Sequence, residues 1–307
     1  MPKDEFLSYI NAFMKKIPLP EDAATCFMGV ENMIFDDTEL SECFSKLKNG
    51  FMVDFEIGLN EVFEELKVKA DECGVSEYTF NFIFLMNCTD ILLERYKDND
   101  IPEEIFWDTM DDLRCKLLEC YEQHEVWGTF VGGWYAGFMS MTRFALGRFQ
   151  YEMSVFDDGP YTTKNGITIE KNTPAYNFHI PSSGKPFGKE ARIESYKKAY
   201  DFYGYSKTGG NMVLVCSSWL LYKGHEEFLP EKSNILDFMR DFDIVKSEER
   251  EEFGDAWRVF GKYHELPPDR LPRDTSLRRA FADRLASGGK TGHGYGVIVF
   301  DGEKIVN

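Results

Sequence analysis

The hydrophobic period of this chain changes once, near residue 148, and that change constrains the fold more than any other feature. Up to about residue 125, apolar side chains recur every three or four positions, the spacing of a helix face. Phe6, Ile10, Phe13 and Ile17 share one face of an opening helix that Pro18 and Pro20 end. Thr38 is placed to cap a second helix carrying Leu40, Phe44 and Leu47, with Gly50 beyond its end. Leu59, Val62, Phe63 and Leu66 mark a third, stopped near Gly74. Ser76 opens a strongly apolar fourth through Phe80, Phe84, Cys88 and Ile91. Pro102, Glu103 and Glu104 suit the first turn of a fifth, whose core stripe is Phe106, Met110, Leu113, Leu117 and Tyr121. The uncharged, glycine-containing stretch 126–142 falls short of a membrane span and reads as a buried helix or turn.

From residue 148 the period is two. Phe149, Tyr151, Met153 and Val155 alternate with Arg148, Gln150, Glu152 and Ser154, the pattern of a half-buried strand. Asp157-Asp158-Gly159-Pro160 is turn chemistry, and Asn165-Gly166 predicts a tight hairpin before Ile167 and Ile169. Residues 175–180 form a further strand with Tyr176, Phe178 and Ile180 on one face. Residues 189–203 read as a helix, and 212–216 as a strand buried on both faces. Residues 235–245 make a strand pair or a strand with a short helix. Asp274 and Thr275 cap a basic helix over 276–285, and 295–300 make the last strand. The fold class expected is α+β: a helical N-terminal bundle followed by a mixed α/β domain.

Composition narrows the function. A formal charge of −18 over 307 residues, spread rather than gathered, argues against nucleic acid and against an anionic membrane surface as partners. The seven cysteines are dispersed without a CxxC pair, which points to free thiols and a reducing compartment. The opening residues alternate charge with apolar side chains at helical spacing, unlike a signal peptide, so a cytoplasmic location is expected. No spacing of Cys or His suggests a metal.

One stretch carries chemistry. The strand over 175–180 leads through Ser182, Ser183, Gly184, Lys185, Pro186, Phe187 and Gly188 into the helix over 189–203, and then to the strand over 212–216. Such a loop can present backbone N–H groups at a helix N-terminus to an anion, or its serines can simply cap the helix. His179, on the face opposite Tyr176 and Phe178, is either a base or a structural imidazole. Glu152 and Gln150 lie on the polar face of the first strand. Cys216 could be a nucleophile, although no His is close in sequence, and Tyr203 or Tyr205 could act as proton donors. Arg270, Arg273, Arg278, Arg279 and Arg284 form a basic cluster that either binds an anion or, as the simpler reading, pairs with surplus carboxylates.

Four segments carry a family resemblance: Phe178-His179-Ile180-Pro181, Cys216-Ser217-Ser218-Trp219-Leu220-Leu221, Ser233-Asn234-Ile235 and Leu271-Pro272-Arg273-Asp274-Thr275-Ser276-Leu277-Arg278-Arg279-Ala280. They resemble bacterial acyltransferase-domain proteins, which pair a helical N-terminal domain with a GNAT-like C-terminal domain. Leu146-Gly147-Arg148-Phe149-Gln150-Tyr151-Glu152 is similar to the strand that opens their C-terminal part. The resemblance implies a helical domain over residues 1–140 and a GNAT-like domain over 141–307. It also implies direct transfer of an acyl group from acetyl-CoA or another acyl-CoA to an amine on a small molecule or peptide. His179 or Glu152 would then be the base, and Ser182, Ser183, Gly184, Lys185 and Gly188 the CoA loop. The strand ending at Ile180 would part from the one ending at Cys216 to admit the pantetheine arm. The loop departs from the GNAT pattern: no Gln or Arg leads it, and Pro186 removes an amide donor. A non-catalytic ligand-binding or interaction protein with a GNAT-like shell is the alternative.

Overall fold

In a computed structural model, which describes residues 3–307, the chain divides after Phe144 into two units. The first is helical: α1 (Lys3–Lys16), α2 (Glu21–Asp36), α3 (Thr38–Asn49), α4 (Leu59–Cys73), α5 (Glu77–Asn87), α6 (Thr89–Asp98), α7 (Glu103–His124) and a short α8 (Ala136–Met139). Most residues of the expected stripes are buried, but Phe63 and Ile91 are only half-buried, and the fourth expected helix is two, α5 and α6, which meet at Cys88. Tyr121, placed in the α7 core by its spacing, is 42% exposed and stacks on Trp127 instead. The cap of α3 is Asp37, whose carboxylate accepts from the Leu40 N–H at 3.0 Å, rather than Thr38. Helix α2 was not anticipated. Its buried face runs Ala23, Phe27, Glu31, Ile34, and a carboxyl in the third place hides the stripe. Burial pushes Glu31 up to about 8, so it sits in this core as the neutral acid beside Asn87.

The second unit is built on one sheet. Its strands are β1 (Arg143–Leu146), which leads in from the first unit, β2 (Phe149–Val155), β5 (Pro174–His179), β6 (Met212–Ser218), β7 (Asp243–Arg250) and β8 (Thr291–Phe300). Their spatial order is β1-β2-β5-β6-β8-β7, while β3 (Tyr161–Thr162) and β4 (Thr168–Ile169) form a separate hairpin. Strands β2 and β5 are antiparallel, β5 and β6 parallel, and β6–β8 and β8–β7 antiparallel. The connections carry α9 (Lys189–Phe202), α10 (Tyr205–Thr208), α11 (Asn234–Met239), α12 (Ala256–Phe260) and α13 (Ser276–Ala286). The alternation in β2 holds only for its first half. Phe149 and Tyr151 are buried, but Met153 is 77% exposed and Val155 also lies open, while the polar Gln150 is buried.

One sheet face packs on α9. Phe149 stands 5.7 Å from Tyr196 and 4.7 Å from Phe178, ring centre to ring centre. Ser195 latches the β1–β2 turn: its hydroxyl accepts from the Phe149 N–H at 3.1 Å and donates to the Leu146 carbonyl. Gly147 makes this possible, because its φ is +77° and a Cβ there would lie 3.1 Å from the Ser195 Cα. The other face has an apolar half, where Ala175, Val213, Val215, Val297 and Val299 pack with Phe156 and Ile169 near the β3–β4 hairpin.

Arg192 ties these parts together. It is fully buried and holds Asp241 with two bonds, 2.6 Å from Nε and 3.1 Å from Nη2. Its Nη1 reaches Asp237 at 3.0 Å and the Phe187 carbonyl at 2.9 Å. Replacing Arg192 by Leu strands Asp241, buried and charged, and is expected to cost about 3–5 kcal/mol in urea unfolding; Arg192→Leu with an unchanged midpoint would refute this role.

His225 is wholly buried among Trp219, Tyr222, Phe228 and Phe281, and no side chain hydrogen-bonds either ring nitrogen. Burial pushes it down to about 4, the Leu220 backbone working weakly against that. Between pH 6.5 and 4 the unfolded chain therefore takes up a proton that the folded chain refuses, and stability falls as pH falls. The loss by the lower end is about 3 kcal/mol. In denaturant titrations across that range, His225→Phe is expected to lose less stability than the parent chain.

Candidate active site

The antiparallel register of β2 and β5 sets Gln150 opposite His179 and Glu152 opposite Asn177. Side chains two apart share a face, so all four project to the side away from Tyr151 and Phe178. There the His179 Nε2 lies 2.7 Å from Glu152 Oε1. Asn177 completes a triangle: its Nδ2 donates to the same Glu152 oxygen at 3.0 Å and stands 3.1 Å from His179 Nε2. His179 and Glu152 side chains are each 24% exposed, reachable yet partly desolvated. Two sequence candidates are thus brought into one dyad. Asn177 was overlooked, although its place two residues before His179 on the same strand could have flagged it.

The dyad stands where the sheet parts. Strand β5 pairs with β6 only at Tyr176–Leu214 and Asn177–Val215. Beyond those rungs β5 continues to His179, still paired with β2, and β6 continues to Ser218, still paired with β8. Each strand keeps its outer neighbour while the pairing between them ends, so His179 lies on one lip of an opening.

The loop over 182–188 follows β5 after Ile180 and Pro181. Gly184 adopts a φ of +70°, and the Lys185 N–H donates to the Ser183 hydroxyl at 3.3 Å. Gly188 precedes α9, and no side chain caps the helix, so its first-turn N–H groups point outward uncapped. Arg148 donates to the Pro181 carbonyl at 3.0 Å and Arg192 to that of Phe187, which fixes both ends of the loop.

The remaining candidates fall elsewhere. Cys216 is buried, and burial pushes its thiol up to about 12. Tyr203 stacks on Tyr176 at 3.9 Å and donates to the Tyr151 carbonyl, on the sheet face away from the dyad. Tyr205 also meets Tyr176, edge to face. Four of the five clustered arginines make structural contacts: Arg278 pairs with Asp274, Arg273 with Asp283 and Arg284 with Glu227, while Arg279 donates to the Arg273 and Asp274 carbonyls. No cluster of three or more metal-type ligands occurs among the described residues. No described helix is long and apolar enough to cross a membrane.

Comparison with known proteins covers both units. Residues 8–141 match the N-acyltransferase N-terminal domain and residues 144–298 the GNAT-like C-terminal domain. Among solved structures, an acyltransferase variant in complex with octanoyl-CoA superposes with a TM-score of 0.71 at 21% identity, over 94% of this chain and 86% of the other. An acyltransferase in complex with decanoyl-CoA and teicoplanin gives 0.70 at 22% identity, with the same coverage. An acyltransferase in complex with CoA and 10C-teicoplanin gives 0.71 at 22%, over 92% and 85%. At such identities the likeness is one of fold. No curated protein sequence matches the chain.

The thiol environment makes its own prediction. Iodoacetamide at neutral pH, followed by peptide mapping, should modify the half-buried Cys26, Cys43 and Cys73 while leaving Cys216 untouched in the folded protein.

Proposed function

The chain belongs to the acyltransferase family defined by an N-acyltransferase N-terminal domain and a GNAT-like C-terminal domain, and from that premise we propose that it transfers an acyl group from a CoA thioester to an amine. The observation that carries this reading is the Glu152–His179 dyad standing on the lip where β5 and β6 part. An extended thioester entering that opening would bring its carbonyl beside the dyad.

Each step has a residue to perform it. Glu152 accepts from the His179 Nε2–H, which fixes the ring orientation and leaves Nδ1 as the basic nitrogen. As the amine nitrogen attacks the thioester carbon, Nδ1 takes its proton. The C–N bond forms, the C–S bond breaks, and the proton passed through His179 ends on the departing CoA thiol. Backbone N–H groups left without a strand partner at the parting are suited to the developing oxyanion. Ser182, Ser183, Gly184, Lys185 and Gly188 would hold the CoA phosphates, with the uncapped start of α9 and the Lys185 charge as the attraction. Pro186 makes this a shorter row of donors than a standard GNAT loop has. The medium-chain CoA esters bound by the structurally similar acyltransferases support octanoyl-CoA as the first donor to try.

His179→Ala should lower the rate of CoA release by about 10²–10⁴-fold while leaving octanoyl-CoA affinity within a factor of about two. Lys185→Ala should do the opposite, weakening CoA about tenfold with little change in turnover at saturation. Thermal-shift titration reads the binding, and thiol release reads the turnover. A His179→Ala protein with parental turnover would sink the catalytic assignment. Octanoyl-CoA that stabilises the protein without ever releasing CoA would instead favour a binding protein with a GNAT-like shell.

A further inference from the structure

The strand registers carry the dyad's sheet face across the parting. Asn177 is the partner of Val215, so His179 and Ser217, two residues on, are the next same-face positions, one on each side. Ser217 pairs with Tyr295, Tyr295 with Lys246, and His293 with Glu248. These five residues, with Arg250, line a cleft of about 240 Å³. It opens on the same face as His179 and begins immediately beyond the parting.

The lining is specific in kind. No aliphatic side chain contributes to it. Lys246 and Arg250 are set against Glu248 and Asp157, so the charges balance and neither an anion nor a cation is favoured as a whole. The Tyr295 hydroxyl lies buried beside Asp157, and burial together with that carboxylate keeps it protonated. Burial and the nearby Arg250 lower His293 from its ordinary range, so the ring is neutral and offers one donor and one acceptor nitrogen. A hydrocarbon seated here would strip water from these groups without replacing its hydrogen bonds. A ligand rich in hydroxyls would replace them.

We propose, resting on the acyl-transfer reading above, that this cleft seats the acceptor and that the acceptor is a hydroxyl-bearing primary amine. Its hydroxyls engage Tyr295, His293 and Glu248, and its amine reaches across the parting to His179.

Two six-carbon amines that differ only in hydroxyls test this: D-glucamine and n-hexylamine, each offered with octanoyl-CoA to the full-length protein, with CoA thiol release as the readout. The expected result is a kcat/KM at least about tenfold higher for D-glucamine, as two or three satisfied hydrogen bonds require. Tyr295→Phe and Glu248→Gln should bring that ratio toward one, with octanoyl-CoA affinity and melting temperature unchanged; Glu248 is exposed, so its variant guards against misfolding. Equal use of the two amines by the parent protein, or a ratio that both variants leave intact, overturns the subsite while the acyl-transfer reading stands. No octanoyl-CoA binding at all overturns that reading and the subsite together.

Discussion

A buried guanidinium holds the second unit in working order. Arg192 gathers Asp241, Asp237 and the Phe187 carbonyl around one rigid fork, joining α9, the segment before β7 and the loop that precedes α9. Its position in the first turns of α9 means that whatever fixes Arg192 also fixes the start of that helix and the loop's last residues. The charge is fully desolvated, so its geometry leaves little room for adjustment. The loop expected to meet phosphate is thereby braced from behind by groups that never face the ligand.

Much of this was legible in the residues, and the exceptions share a cause. The change of period near residue 148 announced the two kinds of structure, and alternation placed Glu152 and His179 on polar faces. What alternation cannot supply is the neighbour. Nothing in residues 149–155 says that β5, rather than β8, lies alongside, so the 2.7 Å contact between Glu152 and His179 had to await the register. Asn177 passed unnoticed because an Asn on a strand has no distinctive signature until its partners are known. Helix α2 was missed because a carboxyl, Glu31, occupies a core position that burial keeps neutral. Met153 was wrongly buried because the periodic pattern outlasts the packing at the end of β2.

The same limit hid the polar cleft. Ser217, Tyr295, His293 and Lys246 are scattered over almost eighty residues, and no local pattern joins them. Two strand pairings, β6–β8 and β8–β7, assemble them into one row. The arginines near residue 275, by contrast, look like a site in sequence and prove to brace carbonyls and carboxylates. Clustering along the chain and clustering in space are separate matters, and only the second makes chemistry.

The short β5–β6 seam has a mechanical meaning. β2 and β5 share six rungs and β6 and β8 share seven, but only two rungs join β5 to β6. The sheet is therefore two stiff leaves on a narrow spine. Any widening of the opening rotates one leaf against the other about Tyr176–Leu214 and Asn177–Val215 without tearing a ladder elsewhere. His179 rides on one leaf and Ser217 on the other, so the distance between the dyad and the cleft is the very coordinate along which the sheet is softest.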